Sequence, residues 1–221
     1  MKKYIFRFTI FCFSLILASC TREPSSSVDQ DKIYTKYELV YDANTDMTTV
    51  KAEFRFGSIV GTKLELSQPA SIRFNGELIP FNSTLAIYEE EIAGFVSSGT
   101  FTYTDIEGSV YTNQTGMIKT VSFPNGDINI NGGTDYVMPF TGNLIGSNDV
   151  VSLTISDKVF ATSMVGSSSI TIGGVQTSDI TTGPYIGYLS RIITTTPDNA
   201  TPEGGLILLT YKAHNKAIQV N

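Results

Sequence analysis

Tryptophan is absent, histidine occurs once and cysteine twice in 221 residues. A single imidazole, His214, leaves no zinc site of the usual types and no base for a triad beside a buried nucleophile. No G-x-S-x-G elbow occurs. The glycine pairs at 132–133, 173–174 and 204–205 lack the Lys-Ser/Thr or helical context of phosphate loops, and turns explain them. Beyond the N-terminus, no stretch of ten or more residues keeps a 3.6-residue period, which excludes a helical fold.

One apolar run is present. Met1-Lys2-Lys3 and Arg7 precede Phe8–Leu17, a basic segment followed by about ten apolar residues, as in a signal peptide. A spanning helix needs about 20 such residues. The run ends in Leu17-Ala18-Ser19-Cys20, and this tetrapeptide resembles the lipobox of bacterial lipoproteins, whose cysteine is diacylated and becomes the first mature residue. The resemblance implies a signal peptide over residues 1–19, acylation of Cys20 and a membrane partner held through that lipid. Thr21 stands where the family's inner-membrane retention residue, Asp, would be. Sorting to the outer membrane is therefore implied, with the periplasmic or cell-surface face left open.

Removing residues 1–19 takes three of the 15 basic residues and none of the 21 acidic ones, leaving a net charge of −9. Nucleic acid is a poor partner for such a chain, because phosphate binding needs clustered Lys and Arg. Cys12 leaves with the signal and Cys20 carries the lipid, so no disulfide is expected and stability rests on burial. The 13 Phe and 11 Tyr supply the bulk. Residues 20–33, polar and Ser-rich with one Pro, read as a flexible tether.

From Tyr34 the period is two. Tyr37, Leu39 and Tyr41 alternate with Lys36, Glu38 and Val40, and Val50, Ala52, Phe54 and Phe56 with Lys51, Glu53 and Arg55, on either side of the turn Asp42–Asp46, which predicts a hairpin. Shorter alternating runs follow around Leu64, Ile72, Ile87 and Phe101. Later strands are expected near Tyr136–Phe140, Val150–Ile155, Val159–Met164, Ser169–Ile172, Leu189–Thr195, Leu206–Lys212 and Ala217–Val220. The class is all-β.

Two local matches, Ser71–Gly76 with Ser169–Gly174 and Phe101–Tyr103 with Leu209–Tyr211, suggest a divergent duplication. Gly99–Tyr103 running into Asp105–Gly108 resembles the last hairpin of an immunoglobulin-like sandwich. The expectation is two tandem immunoglobulin-like antiparallel β-sandwiches, residues 34–121 and 122–221. Lipobox, tether and tandem sandwiches together resemble outer-membrane lipoproteins of the Bacteroidota type, a likeness that brings no catalytic residues with it.

Candidate chemistry is sparse. Asp42-x-Asn44-x-Asp46 with Glu53 matches an EF-hand at most ligand positions, but Met47 replaces the required glycine and the flanks alternate as strands do. A hairpin turn is the better reading. His214 is expected in the exposed turn of a final hairpin. Glu89-Glu90-Glu91 on one strand would point to alternate faces, so they do not form a glycosidase pair. Tyr185 and Tyr188 in Thr181–Tyr188 are the candidate ligand-binding residues, able to stack on a sugar or seat a protein partner. No cofactor or metal is implied. The chain is thus expected to be a lipid-anchored envelope protein acting as a binding or structural module without catalysis. The alternatives are a glycan-binding accessory lipoprotein and a pilin- or adhesin-like component.

Overall fold

The alternation around Asp42–Asp46 becomes a long hairpin whose inward side chains, from Ile33 to Tyr41 and from Thr48 to Phe54, are buried at every second position. The computed structural model describes residues 22–221; the expected signal peptide and Cys20 lie outside the described residues. Strands β1 (Glu23–Pro24), β2 (Ile33–Asp42), β3 (Met47–Phe56), β4 (Lys63–Glu65) and β5 (Ser71–Phe74) open the first half. It continues with β6 (Glu77–Leu78), β7 (Phe81–Asn82), β8 (Ile87–Ala93), β9 (Thr100–Thr104) and β10 (Val110–Gln114).

The second half begins with β11 (Val121–Ser122), β12 (Ile128–Ile130), β13 (Tyr136–Pro139), β14 (Thr141–Gly142) and β15 (Asp149–Ile155). Then come β16 (Lys158–Thr162), β17 (Ser169–Ile172), the one-turn helix α1 (Gly174–Ser178), β18 (Gly183–Thr195), β19 (Gly205–Lys212) and β20 (Lys216–Val220). Among the described residues no helix is long and apolar enough to cross a membrane.

The all-β class holds, but two self-contained sandwiches do not. Strand β2 pairs in parallel with β19 over eight residues, Thr35–Asp42 against Gly205–Lys212. One twelve-stranded mixed sheet therefore runs through both halves, with the order β1-β4-β3-β2-β19-β18-β15-β16. The physical reason lies at the edge of β2. With β3 on one side only, its other side would present a long row of unpaired N–H and C=O groups, and β19 covers them. Smaller sheets, β10-β9-β5-β6 above the first half and β13-β17 with β11-β14 in the second, close over the large one.

The interior still divides in two. The first cluster runs from Ile33 to Ile118 and borrows Ile193, Ile207 and Leu209 from the second half. The second runs from Val121 to Val220.

The suggested duplication finds no equivalent topology. Strands β5 and β17 share the same inward positions, yet β5 lies beside β9 whereas β17 pairs with β13 alone. Leu209, the counterpart of Phe101, sits in β19 between β2 and β18.

The expected flexible tether also needs correction from Arg22 onward. Strand β1 pairs with β4, Glu23 opposite Leu64. Ser25 is fully buried and its hydroxyl accepts from the Ser67 amide at 2.9 Å. Gln30 donates to the Ser25 and Val28 carbonyls at 2.8 and 2.9 Å, and Val28 packs on the first core. A polar Ser-rich segment docks here because its side chains satisfy their own backbone, which composition alone does not reveal.

Candidate functional site

Strands β19 and β20 are not a hairpin. Both pair antiparallel with the same edge of β18, Lys212 opposite Ser190 and Lys216 opposite Gly187. Between these pairs three residues, Ala213–Asn215, face two, Tyr188 and Leu189, so the segment carries a one-residue bulge. His214, expected in a turn, lies exposed on this bulge. Here the sheet forks: β19 gives its outer edge to β2, while β20 gives its own to β12.

The β2–β3 turn plugs the fork. The Asn44 side chain donates to the Ala213 carbonyl at 3.1 Å and accepts from the Asn215 amide at 2.8 Å. Asp42 Oδ1 holds Asn44 in place, accepting from its backbone and its side-chain nitrogen at 3.0 and 2.9 Å. Burial pushes the Asp42 carboxyl up, but the Asn44 bonds and the Lys212 charge together hold it below its ordinary value. Asp46 adopts φ +53°, which Asp tolerates. Its carboxylate accepts from the Tyr41 hydroxyl at 2.9 Å, and that bond, more than burial, pushes the phenol up to about 12.

The EF-hand pattern is thus a turn whose side chains are already committed. Glu53 stands on β3 between Arg55 and Lys63, and among the described residues no cluster of three metal-ligating side chains occurs.

On the outward side of the fork is a cavity of about 390 Å³ lined by Asp42, Asn44, Thr154, Tyr188, Ser190 and Lys212, among others. The Tyr188 ring is 52% exposed there. Tyr185 is three residues away on the same strand and so points to the other face. Its ring packs on the second core and its hydroxyl donates to the Thr181 carbonyl at 2.8 Å. The structure therefore does not bring the two tyrosines together, because residues expected in a loop belong to the thirteen-residue β18. Ser190 Oγ lies 2.9 Å from Ser152 Oγ, and Lys212 lies 3.6 Å from Asp42.

This cavity offers one aromatic face ringed by hydroxyls, an amide and a compensated ion pair, the equipment for holding a neutral polyhydroxylated or peptide ligand. A second depression on the same sheet, about 220 Å³, is lined by Lys36, Glu38, Lys51, Glu53 and Lys63. Lys36 pairs with Glu38, and Lys63 with Glu53 at 3.1 Å, which leaves little field to draw a charged ligand.

Glu89 and Glu91 lie on the outer face of β8 and Glu90 on the other, opposite Val50. Glu89 accepts from Asn82 at 2.6 Å. The carboxylates do not converge.

Sequence reasoning missed one buried polar centre. Arg191, on β18, is 1% exposed. It donates to the Thr120, Asn143 and Leu144 carbonyls at 3.3, 2.6 and 2.7 Å and pairs with Asp149. Asp149 also accepts from the Gly146 amide at 2.9 Å and from Lys119 at 3.1 Å. Burial raises its carboxyl, and these donors outweigh burial to leave it below its ordinary value. The signal was available: Leu189, Arg191 and Ile193 share the inward parity of one strand. Of the guanidinium nitrogens, Nε alone is left without a partner among the described residues, and the pair, held at both terminal nitrogens of Arg191, fastens the segment joining the halves.

No protein-family model matches the chain, and no curated protein does. One solved structure with some likeness concerns host cell surface retention of a 1.5-MDa bacterial ice-binding adhesin: 15% identity, 85% of this chain and 65% of that chain, TM-score 0.28. Another is a Ca2+-stabilised adhesin with which an Antarctic bacterium binds ice: 13% identity, 85% and 48% coverage, TM-score 0.29. The chain spans less than two thirds of either. At these scores the overlap fixes neither a common fold nor a common ligand.

Proposed function

We propose that the protein is a non-catalytic binding module of the bacterial cell envelope, adhesin-like in kind and anchored by lipid on Cys20. The observation that carries the reading is the outward face of the large sheet around Tyr188. From β19 to β16 it presents Leu208, Thr210, Ile192, Val150, Ser152, Thr154 and Val159, with Lys212 at the fork its one charge. Val150, Val159, Tyr188 and Ile192 are all exposed. A chain with 16% charged residues has ample polar material to cover such a face, and contiguous apolar exposure marks interaction surfaces. The test displays the intact chain on cells and measures cell adhesion and aggregation. Val150→Lys with Ile192→Lys is expected to abolish both while leaving the melting temperature within a few degrees. Adhesion unchanged in this variant sinks the reading.

A glycan ligand is the second reading, favoured by the lone aromatic platform in a polar cavity. Tyr188→Ala is expected to remove retention on a glycan array. Tyr185→Phe, which changes a core-side residue, is expected to leave it intact. Assignment of residues 34–121 and 122–221 as two domains belongs to the same proposal. The two core clusters support it, although the shared sheet makes them a fused pair. Whether the module faces the periplasm or the medium is read from protease accessibility on intact cells.

A further inference from the structure

The docked N-terminal segment changes where the folded part must sit. Arg22 donates to the Ser83 carbonyl at 2.9 Å, pairs with Glu65 at 2.9 Å and places its guanidinium 5.3 Å from the centre of the Phe81 ring. With β1 paired to β4 immediately after it, the chain is held from Arg22 onward. Only two peptide links separate Arg22 from Cys20, a reach of about 7 Å at most. An acyl group on Cys20 would therefore enter the bilayer within that distance of Arg22, not at the end of a long leash.

The surface surrounding Arg22 has the chemistry of a membrane interface. Arg22, Arg55, Lys63, Val60 and Leu85 line one cavity of about 430 Å³. Val60 is 84% exposed at the tip of the β3–β4 loop, with Ile59 beside it, and Leu85 is half exposed at the β7–β8 turn. Apolar tips flanked by long cationic side chains suit the headgroup boundary, where the aliphatic stems bury and the charges reach phosphate. Glu53 and Glu65 offset two of the three cations, so apolar insertion carries the contact and one residual positive charge assists it. No such patch could hold an acidic domain on a membrane unaided, and here the lipid supplies the hold.

We infer that the β3–β4 loop, the β7–β8 turn and Arg22 form a surface that lies on the phospholipid headgroups of the bilayer anchoring Cys20. The inference rests on the lipid-anchor reading and adds an orientation to it.

The absence of tryptophan makes the test clean. Val60→Trp, Leu85→Trp and, on the far half, Val159→Trp are expressed as the full chain. The acylated products are placed in phosphatidylethanolamine vesicles with and without brominated acyl chains. The expected result is blue-shifted emission from Val60→Trp and Leu85→Trp, with most of it lost to the brominated lipid, while Val159→Trp emits as in water. Acylation confirmed by mass with all three indoles in water overturns the surface and leaves the anchor standing. Equal quenching of all three also overturns it. A mass without acyl groups at Cys20 removes the anchor reading and this inference together.

Discussion

The two cores of one continuous sheet are filled by different means. Of the 19 buried residues of the first cluster, seven are Phe or Tyr; of the 17 in the second, two are. In the first, rings meet rings: Tyr37 stacks on Phe101 at 4.7 Å, Phe54 packs against Tyr103 at 4.7 Å, and Phe74 against Phe101 at 4.9 Å. In the second, Ile, Val and Leu fill the space and the polar fastening at its rim is Asp149 held between Arg191 and Lys119. Aromatic bulk covers a wide gap between sheets but brings hydroxyls inside. Among the described residues neither Tyr37 Oη nor Tyr103 Oη has a hydrogen-bond partner, and burial raises both phenols far above their ordinary value. An aliphatic core avoids that cost, and its rim relies instead on a buried charge that must stay paired.

The sharpest way to break this comparison is to remove each half's keystone. Arg191→Ala takes the donor from three carbonyls and leaves the buried Asp149 with only the Gly146 amide and Lys119, and is expected to cost about 3–5 kcal/mol. Phe101→Ala removes the ring shared by Tyr37 and Phe74 and is expected to cost about 3–5 kcal/mol. Urea unfolding checks both. Because β2 and β19 are hydrogen-bonded neighbours, each variant should shift one common transition. Two separate transitions would show that the cores are energetically independent. Replacing the pair together, Arg191→Met with Asp149→Leu, should recover part of the loss, since paired removal leaves no buried charge unpaired and the freed Lys119 is part-exposed to solvent.

Acid should loosen the second half through Asp149, as it also acts on the depressed carboxyls of Asp42 and Glu53 in the first. The Asp149 carboxyl is depressed in the folded state, so its contribution is present in full above the unfolded value of about 4 and is lost as pH falls through the folded value. Asp149→Asn should lower stability at neutral pH and flatten its fall below about pH 4, followed by circular dichroism. A wild-type profile flat down to pH 2 would remove the ion pair from the comparison.

Smaller effects belong to the links between halves. The Asn113 side chain donates to the Asn199 carbonyl at 2.7 Å and accepts from its amide at 2.8 Å. Asn113→Ala is expected to cost about 1–3 kcal/mol, and Asn44→Ala at the more exposed fork about 1 kcal/mol, both read from thermal melts. The smallest contrast lies within the aromatic core. Tyr88→Phe loses the hydroxyl that accepts from the Leu66 amide at 2.8 Å and should cost about 1 kcal/mol. Tyr103→Phe deletes an unpartnered hydroxyl and should be neutral or stabilising. Equal losses in the two would show that the Tyr103 hydroxyl has a partner in solution.

Local patterns were legible wherever neighbours in sequence are neighbours in space. The β2–β3 and β9–β10 hairpins follow from alternating side chains and turn residues, and the second-half strands fall close to their expected positions. The site was legible only in part. Tyr188 was found as an aromatic near glycines. Its separation from Tyr185 was hidden because Thr181–Tyr188 reads as a loop and becomes the first part of β18. Asn44 looked like a calcium ligand because turns and calcium loops draw on the same residues, and the amide that donates to it, from Asn215, is 171 positions away.

By itself the chain's composition and two-residue period determined an all-β protein stabilised by burial, with most strands placed and His214 exposed. Those properties depend on solvation and on the parity of adjacent residues, which are local. Tertiary structure decided the parallel seam between β2 and β19, the fork at Ala213–Asn215, the burial of Arg191 and the docking of Arg22–Ile33. Each of these joins groups far apart along the chain. Each is selected because an unpaired edge, a buried charge or an orphaned carbonyl must find its partner wherever the fold brings one.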